Sequence, residues 1–122
     1  MLNVEMEFNK GILFIRLEGE LISRTVNVFE EKVLPTVLTN GIKYVVINMD
    51  KVFLLDEEGM KAISNLNEIT TNNDGRTTIC SLSNTLREST LEYKGTNPFY
   101  EAEDELSALR GVMKIWIEKL KC

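Results

Sequence analysis

The sequence predicts an α/β fold with a mixed, mainly parallel sheet of four to five strands, an initial β-hairpin and about four helices. Three observations support this prediction. The chain opens on two apolar stretches separated by a short turn. Apolar stretches then alternate with segments of helical periodicity, which is typical of parallel strands joined by helices. No linker, repeat or low-complexity segment interrupts the 122 residues, so we expect one domain over 1–122.

The first two strands form the predicted hairpin. Residues 2–8 alternate between apolar and polar side chains, as in a half-buried strand. Residues 9–11 make a short turn in which Gly11 supplies the positive φ angle. Residues 12–17 are nearly all apolar, which predicts a strand inside the sheet that ends within residues 18–21.

A first helix is predicted to follow. Ser23 or Thr25 can cap its N-terminus, and for Ser23 this capping role is preferred over contact with a partner. Pro35 is expected to kink the helix or end its regular part, because proline removes a backbone donor and clashes with the preceding turn. Residues 40–41 stop it. Its apolar face holds Val26, Phe29, Val33 and Val37.

A central strand, a second helix and a fourth strand come next. Residues 42–49 form an apolar run that predicts the central strand. The second helix shows an apolar period through residues 63–69 and ends before the turn cluster at residues 72–75. The β-branched run at residues 77–82 predicts a short fourth strand.

The last third of the chain is predicted to be mainly helical. Ser83 or Asn84 can cap a short helix over residues 86–93, residues 94–98 break it, and residues 99–100 are at most a stub of strand. The last helix carries acidic residues in its first turn and lysines in its later turns, which complements the helix dipole. Its expected apolar face holds Leu106, Leu109, Met113, Trp116 and Leu120.

Composition excludes several classes of function. The 19 acidic and 14 basic residues give a formal net charge of -5, which argues against nonspecific binding to nucleic acid or to anionic membranes. Histidine, the commonest general base and metal ligand, is absent. The N-terminus lacks the features of a signal peptide, and no apolar run reaches the length of a membrane span. Cys80 and Cys122 form no CxxC motif or disulfide framework. We therefore expect a cytoplasmic protein without metal or cofactor.

Residues 52–60 are the stretch from which function is inferred. They lie between the central strand and the second helix, and the helix opens on Asp56, Glu57, Glu58 and Gly59. Asp56 is a good N-cap, and negative charge suits the positive end of the helix dipole. Helix capping alone is therefore one sufficient explanation of the three acidic residues.

This stretch resembles the signature of the STAS domain, a family named after sulphate transporters and anti-sigma factor antagonists. In that family a buried strand and a hydrophobic pair precede Asp, Ser, Ser or Thr, Gly, and Leu or Met at the start of a helix. Asp56 and Gly59 stand in the expected places, and residues 19–21, Gly-Glu-Leu, resemble a corner common in the family. The order of elements is similar too, so the resemblance covers essentially the whole chain.

Glu57 departs from the family at the functional position. In the antagonists the residue after the Asp is a serine or threonine that a partner kinase phosphorylates. The resemblance implies that the unphosphorylated protein binds this anti-sigma factor kinase and frees the sigma factor, and that phosphorylation blocks binding. Glu57 either imitates the phosphorylated, non-binding state or belongs to an interface that accepts an acid and binds without regulation.

The resemblance implies a docking surface and no catalytic residues. We expect this surface to comprise the start of the second helix and the loop after residue 21, which in the family lies beside the phosphorylation site. Asp56 is expected to cap the helix and shape the surface. Gly59 is expected to keep the first turn bare, either for a partner or for ordinary close packing. The predicted partner-binding residues are Leu21, Ser23, Arg24, Asp56, Glu57, Glu58 and Gly59.

The predicted function is that of a non-enzymatic bacterial regulator similar to an anti-sigma factor antagonist. Its expected partner is an anti-sigma factor serine kinase or another STAS or regulatory protein, and the chain itself is expected to be a monomer or a weak homodimer. Two alternatives stay open: a scaffold subunit of a signalling complex, and a cytoplasmic accessory of a lipid or anion transport system. An enzyme is the least favoured class, because the sequence has no histidine and no glycine-rich phosphate loop.

Overall fold

A five-stranded sheet with the strand order β1-β2-β3-β4-β5 forms the centre of the computed structural model, which describes residues 1–88 and 100–121. β1 pairs antiparallel with β2, and every other neighbouring pair is parallel. The predicted mixed, mainly parallel sheet with an initial hairpin is therefore confirmed. The strands are β1 (Leu2–Asn9), β2 (Ile12–Leu21), β3 (Tyr44–Leu55), β4 (Arg76–Cys80) and β5 (Tyr100–Ala102). The helices are α1 (Val26–Asn40), α2 (Glu57–Asn72), α3 (helical at residues 84–88) and α4 (Glu105–Leu120).

β2 ends at Leu21, within the stretch 18–21 where its end was predicted, whereas β3 continues beyond its predicted end at residue 49 to Leu55. Their parallel pairing shifts register twice, between Arg16 and Glu18 and again between Gly19 and Glu20. After the second shift the pairing continues through Leu21 opposite Leu55. The two shifts lie within residues 16–20, next to the polar stretch that predicted the end of β2 in the sequence. Both strands consequently end together, at the point where α1 and α2 begin.

α1 begins and continues differently from its prediction. Its N-cap residue is Thr25, which makes no side-chain cap hydrogen bond, so the capping role preferred for Ser23 is wrong. Thr25 instead uses its hydroxyl on the preceding loop. Pro35 lies inside the helix, which continues to Asn40, so the proline does not end it. Gly41 ends α1 in the left-handed conformation, with φ of 60°.

Apolar side chains fill both faces of the sheet. On one face α1 and α2 cover a core that includes Leu13, Ile15 and Ile47, all almost fully buried. On the other face α4 covers a smaller core around Ile12, Phe14, Tyr44, Val46, Cys80, Ala108 and Val112. The sheet is thus an inner layer between helices, as expected of parallel strands.

α4 presents a different face to the sheet from the predicted one. Ala108 and Val112 are buried, whereas Leu106, Met113 and Leu120 are exposed. The reason is that α4 is apolar on two sides, and the side with Ala108 and Val112 packs on the sheet. Glu105 lies on this side and its carboxylate accepts hydrogen bonds from Arg16 and Asn48. Leu109 and Trp116 of the predicted face are partly buried against the same core.

The segment between β4 and β5 is described only in part. Ser83 caps α3, since its hydroxyl accepts a hydrogen bond from the amide of Leu86 at 3.2 Å. The fourth strand ends at Cys80 and not at residue 82, because Ser81 has a positive φ of 59°. The predicted stub of strand is β5. Most of the predicted helix over 86–93 and the predicted break at 94–98 lie outside the described residues.

Candidate functional site

The carboxylate of Asp56 joins the start of α2 to the loop that follows β2. Its Oδ1 accepts a hydrogen bond from the Gly59 amide at 2.9 Å and so caps α2, as predicted. Its Oδ2 accepts a hydrogen bond from the Ser23 amide, also at 2.9 Å. The Asp56 amide completes the junction by donating to the Leu21 carbonyl at 3.4 Å. One side chain therefore holds together the two segments that the sequence predicted to form a surface. We call residues 21–25 and 53–59 the Asp56 corner.

Gly59 lets α2 pack directly on the end of β2. A Cβ atom added there would lie 2.2 Å from the Leu21 carbonyl oxygen and 2.9 Å from Leu55 Cδ1. Gly59 itself is buried, and Leu21 has no exposed surface. Of the two reasons considered for this glycine, the structure shows close packing within the chain. Leu21 and Gly59 therefore shape the corner from beneath its surface.

Thr25 is a further determinant of the corner that the sequence suggested only as an alternative cap. Its hydroxyl donates to the Glu20 carbonyl at 2.7 Å and accepts from the Ile22 amide at 3.0 Å. Because the side chain is buried, these bonds fix the path of the loop and leave Ser23 and Arg24 on the surface. A threonine four residues after the end of a strand is too common a feature to predict this role.

Glu57 and Glu58 project from the first turn of α2 into solvent. Lys61 Nζ lies 3.8 Å from a Glu57 carboxylate oxygen and 3.5 Å from one of Glu58. All three side chains are more than half exposed, and such exposed ion pairs contribute little to stability. Both carboxylates are therefore accessible to another molecule. Arg24 is exposed as well, at 4.0 Å from Glu20, which also binds the N-terminal amine.

Phe53 and Leu54 add apolar surface to the corner. Their exposed fractions are 69% and 45%, whereas Val52 and Leu55 on either side of them are buried. Neither exposed residue is among the predicted partner-binding residues. Strict alternation would have exposed only one of the two, so no pattern in the sequence marks the pair. Isolated exposed apolar residues are ordinary, but an exposed pair beside charged residues is typical of contact surfaces.

A second polar cluster lies on the face of the sheet covered by α4. Arg16 donates two hydrogen bonds of 2.9 Å to the two carboxylate oxygens of Glu105, and a third of 2.8 Å to Glu7. Asn48 donates to Glu105 at 2.7 Å. The hydrogen bonds from Arg16 hold the pKa of Glu105 below its usual range, and the carboxylates raise the pKa of Arg16 above its own. Because these charges are mutually satisfied, the cluster attaches α4 to the sheet.

Two kinds of site are missing from the part of the chain that the structure describes. Within residues 1–88 and 100–121 no group of three or more Cys, Asp or Glu side chains could hold a metal ion. None of the helices in these ranges has the length and apolar character needed to cross a bilayer.

A family model covers the Asp56 corner. The model of the STAS domain matches residues 3–105, which include all of the corner and, apart from Leu2, all five strands. This chain belongs to the STAS domain family. The order of strands and helices, the opening hairpin and the Asp-capped α2 are accordingly those of a STAS domain.

Solved structures show the same fold at low sequence identity. The anti-sigma factor antagonist SpoIIAA in its unphosphorylated form is 18% identical with a TM-score of 0.72, and the match covers 91% of this chain and 98% of that one. An anti-sigma factor antagonist from Mycobacterium paratuberculosis is 19% identical with a TM-score of 0.77, covering 93% and 95%. The murine anion transporter Slc26a9 contains a similar region: identity is 13%, the TM-score is 0.74, and the match covers 88% of this chain but 18% of the transporter.

The structure brings the predicted residues of this STAS domain together in two layers. Ser23, Arg24, Glu57 and Glu58 are exposed, Leu21 and Gly59 are buried, and Asp56 connects the layers.

Proposed function

We propose that this STAS domain is a non-enzymatic, cytoplasmic regulator that docks on a partner protein through the Asp56 corner. The observation that supports this most directly is the double hydrogen bond of the Asp56 carboxylate to Ser23 and Gly59. It holds two exposed segments in a fixed relation, and a preorganised surface loses less freedom on binding. The exposed side chains of Phe53 and Glu57 offer the apolar contact and the charge that a protein partner uses.

The proposed partner is an anti-sigma factor serine kinase. This assignment is supported by family membership and by the antagonists among proteins of the same fold. In such a pair Glu57 would occupy the place of the phosphorylated hydroxyl. It offers no hydroxyl to a serine kinase, so the kinase would leave this position unmodified.

Of the two roles considered for Glu57, we propose binding without regulation. A carboxylate carries one negative charge on a planar group, whereas a phosphoserine carries nearly two and has three acceptor oxygens. Lys61 also lies 3.8 Å from Glu57 and partly offsets its charge. Glu57 is therefore a poor imitation of the phosphorylated state, and the interface is expected to accept it.

A pull-down from lysate of the source organism depleted of ATP tests this proposal, because no bait protein can then be phosphorylated. Wild type, Glu57→Ser and Glu68→Ser are used as bait, and bound proteins are identified by mass spectrometry. Glu68 is an exposed acid farther along α2 and serves as the matched control. We expect wild type and the control to retain the kinase. Retention by Glu57→Ser alone would show that the glutamate instead acts as a locked phosphorylated mimic.

The same experiment distinguishes a second candidate function. The similarity to a region of the anion transporter Slc26a9 favours a role as an accessory of a transport system. Recovery of transporter subunits without a kinase would support that function and overturn the anti-sigma factor assignment. Recovery of other subunits of a signalling complex without a kinase would favour the scaffold role.

A further inference from the structure

The outer face of α4 carries an apolar stripe that residues 1–88 and 100–121 leave exposed. Leu106, Met113, Ile117 and Leu120 follow one another at intervals of seven, four and three residues, which places them on one side of a helix. Their exposed fractions range from 46% to 85%. The rise of the helix makes this α4 stripe about 20 Å long. The opposite side of α4 already packs on the sheet, so the stripe faces outward.

Basic residues border the α4 stripe along one side. Arg110 and Lys114 stand next to Met113 and Ile117 on the helix surface, Lys121 continues the row, and all three are exposed. The formal net charge of the chain is nevertheless -5. Glu118 lies four residues after Lys114 and three before Lys121, so it offsets part of the positive charge of this edge. The edge of α4 therefore stays basic, whereas the chain as a whole is acidic. The complement of this face is an apolar surface edged by carboxylates.

The Asp56 corner has this chemistry. Phe53 and Leu54 provide exposed apolar surface, and Glu57 and Glu58 follow within five positions. Lys61 neutralises one of these two negative charges, so the pair keeps a net negative charge. The attraction is therefore modest, and the resulting contact should be weak and sensitive to salt.

We propose that the α4 stripe of one molecule docks on the Asp56 corner of a second copy. Met113 and Ile117 would contact Phe53 and Leu54, while the basic edge faces Glu57 and Glu58. Two different surfaces meet in this contact, so each molecule keeps one of each free and the association is head-to-tail. Because the contact covers Glu57, self-association and partner binding exclude each other. The proposal rests on surface chemistry and not on the identity of the partner.

A symmetric pairing of two α4 stripes is disfavoured by the same charges. In an antiparallel pair centred on Met113, the two-fold axis would place Lys114 of each copy beside its own equivalent, and Arg110 on the same side. Like charges brought together across an interface cost free energy. The one-sided basic edge therefore selects a partner surface of opposite charge.

Sedimentation of the purified chain over a range of concentrations tests the proposal without any partner protein. We expect the average mass of wild type to rise with concentration and the rise to shrink at high salt. The stripe variant Met113→Gln/Ile117→Gln and the corner variant Phe53→Thr/Leu54→Thr should each stay monomeric. Leu38→Gln removes an exposed apolar side chain of α1 outside both surfaces and should behave as wild type.

Mixing the two defective variants tests the head-to-tail geometry. The stripe variant keeps its corner and the corner variant keeps its stripe, so one contact can still form between them. We expect a one-to-one complex that does not grow further. Circular dichroism establishes that both variants are folded, which is expected because every replaced side chain is exposed.

Four results would overturn the proposal. They are a wild type that stays monomeric at all concentrations, self-association that survives either variant, a corner variant that still dimerises through α4, and a mixture that forms no complex. Binding to vesicles of anionic lipid tests whether a membrane, and not a second copy of the chain, contacts the α4 stripe. If wild type binds them through the stripe while remaining monomeric in solution, the α4 stripe is a membrane contact and the proposal fails.

Discussion

The carbonyl oxygen of Leu21 lies 2.2 Å from the position that a Cβ atom would take on Gly59. The end of β2 and the first turn of α2 are thus in contact through backbone alone. Any side chain at position 59 would separate them and displace the surface that Asp56 holds in place.

Gly59→Ala is therefore expected to destabilise the fold. A methyl group must displace backbone here, and overpacking of this kind costs about 1–3 kcal/mol of unfolding free energy. Urea denaturation measures the effect. Gly111→Ala in α4 is the matched control, because the atom nearest to its added Cβ is 3.7 Å away. The control should gain roughly 0.5–1 kcal/mol, as alanine favours a helix interior over glycine. Equal effects of the two changes would refute the packing argument.

Removal of the Asp56 carboxylate should loosen both segments that it joins. Asp56→Ala loses the α2 cap and the bond to Ser23, and we expect a loss of about 1–2 kcal/mol of unfolding free energy. Asp56→Asn keeps one acceptor oxygen and should lose less. Hydrogen exchange is the second measurement, since the amides of Ser23 and Gly59 should exchange faster in both variants. Unchanged exchange at Ser23 would show that the bridge is not maintained in solution.

Most of the fold could be predicted because it depends on local patterns. Alternation in β1, the apolar run of β2 and the cap at Asp56 are each visible within a few residues. The continuation of β3 beyond residue 49 could not be predicted, because it depends on pairing with a distant segment, β2, across two register shifts. The face of α4 could not be predicted either, because this helix has apolar residues on two sides and only one of them packs on the sheet.

The candidate site could be predicted only in part, for the same physical reason. Sequence identified Asp56 as a cap, since the capping bond spans three residues. The bond from Ser23 to Asp56 spans 33 residues and leaves no mark in the sequence. The assignment of the cap of α1 to Ser23 failed because its amide, and not its hydroxyl, takes part in the structure. Whether Phe53 and Leu54 are exposed likewise depends on whether other segments of the chain pack over them.

The attachment of α4 should depend on pH through Glu105. The hydrogen bonds from Arg16 lower the pKa of Glu105 in the folded protein below its ordinary value of 4.5. Its ionised form therefore contributes stability above pH 4.5, and this contribution is lost as the pH falls through the lower, folded value. Thermal melts should show a smaller loss of stability on acidification in Glu105→Gln than in wild type.

A control for this effect is Glu103→Gln, which removes the same charge just before α4 without touching the Arg16 cluster. On acidification this variant should lose as much stability as wild type does. An acid response of Glu105→Gln indistinguishable from that of wild type would show that the ion pair contributes nothing to stability.

The thiol of Cys80 should be unreactive in the folded protein. Burial raises its pKa to about 11, and it has no exposed surface. Only the thiolate reacts readily, so both accessibility and ionisation oppose modification. In a Cys122→Ser background, a thiol reagent at mildly alkaline pH should label Cys80 only after unfolding in urea. Rapid labelling of native protein would show that β4 opens easily.

The central claim is that the Asp56 corner binds its partner with Glu57 left unmodified. The most direct test is a titration of the purified partner kinase with wild type and with Glu57→Ser, each with and without ATP. We predict that ATP leaves the affinity of wild type unchanged and abolishes that of Glu57→Ser as its new hydroxyl becomes phosphorylated. Equal loss of affinity in both proteins on addition of ATP would contradict the account, because wild type would then be regulated at another residue.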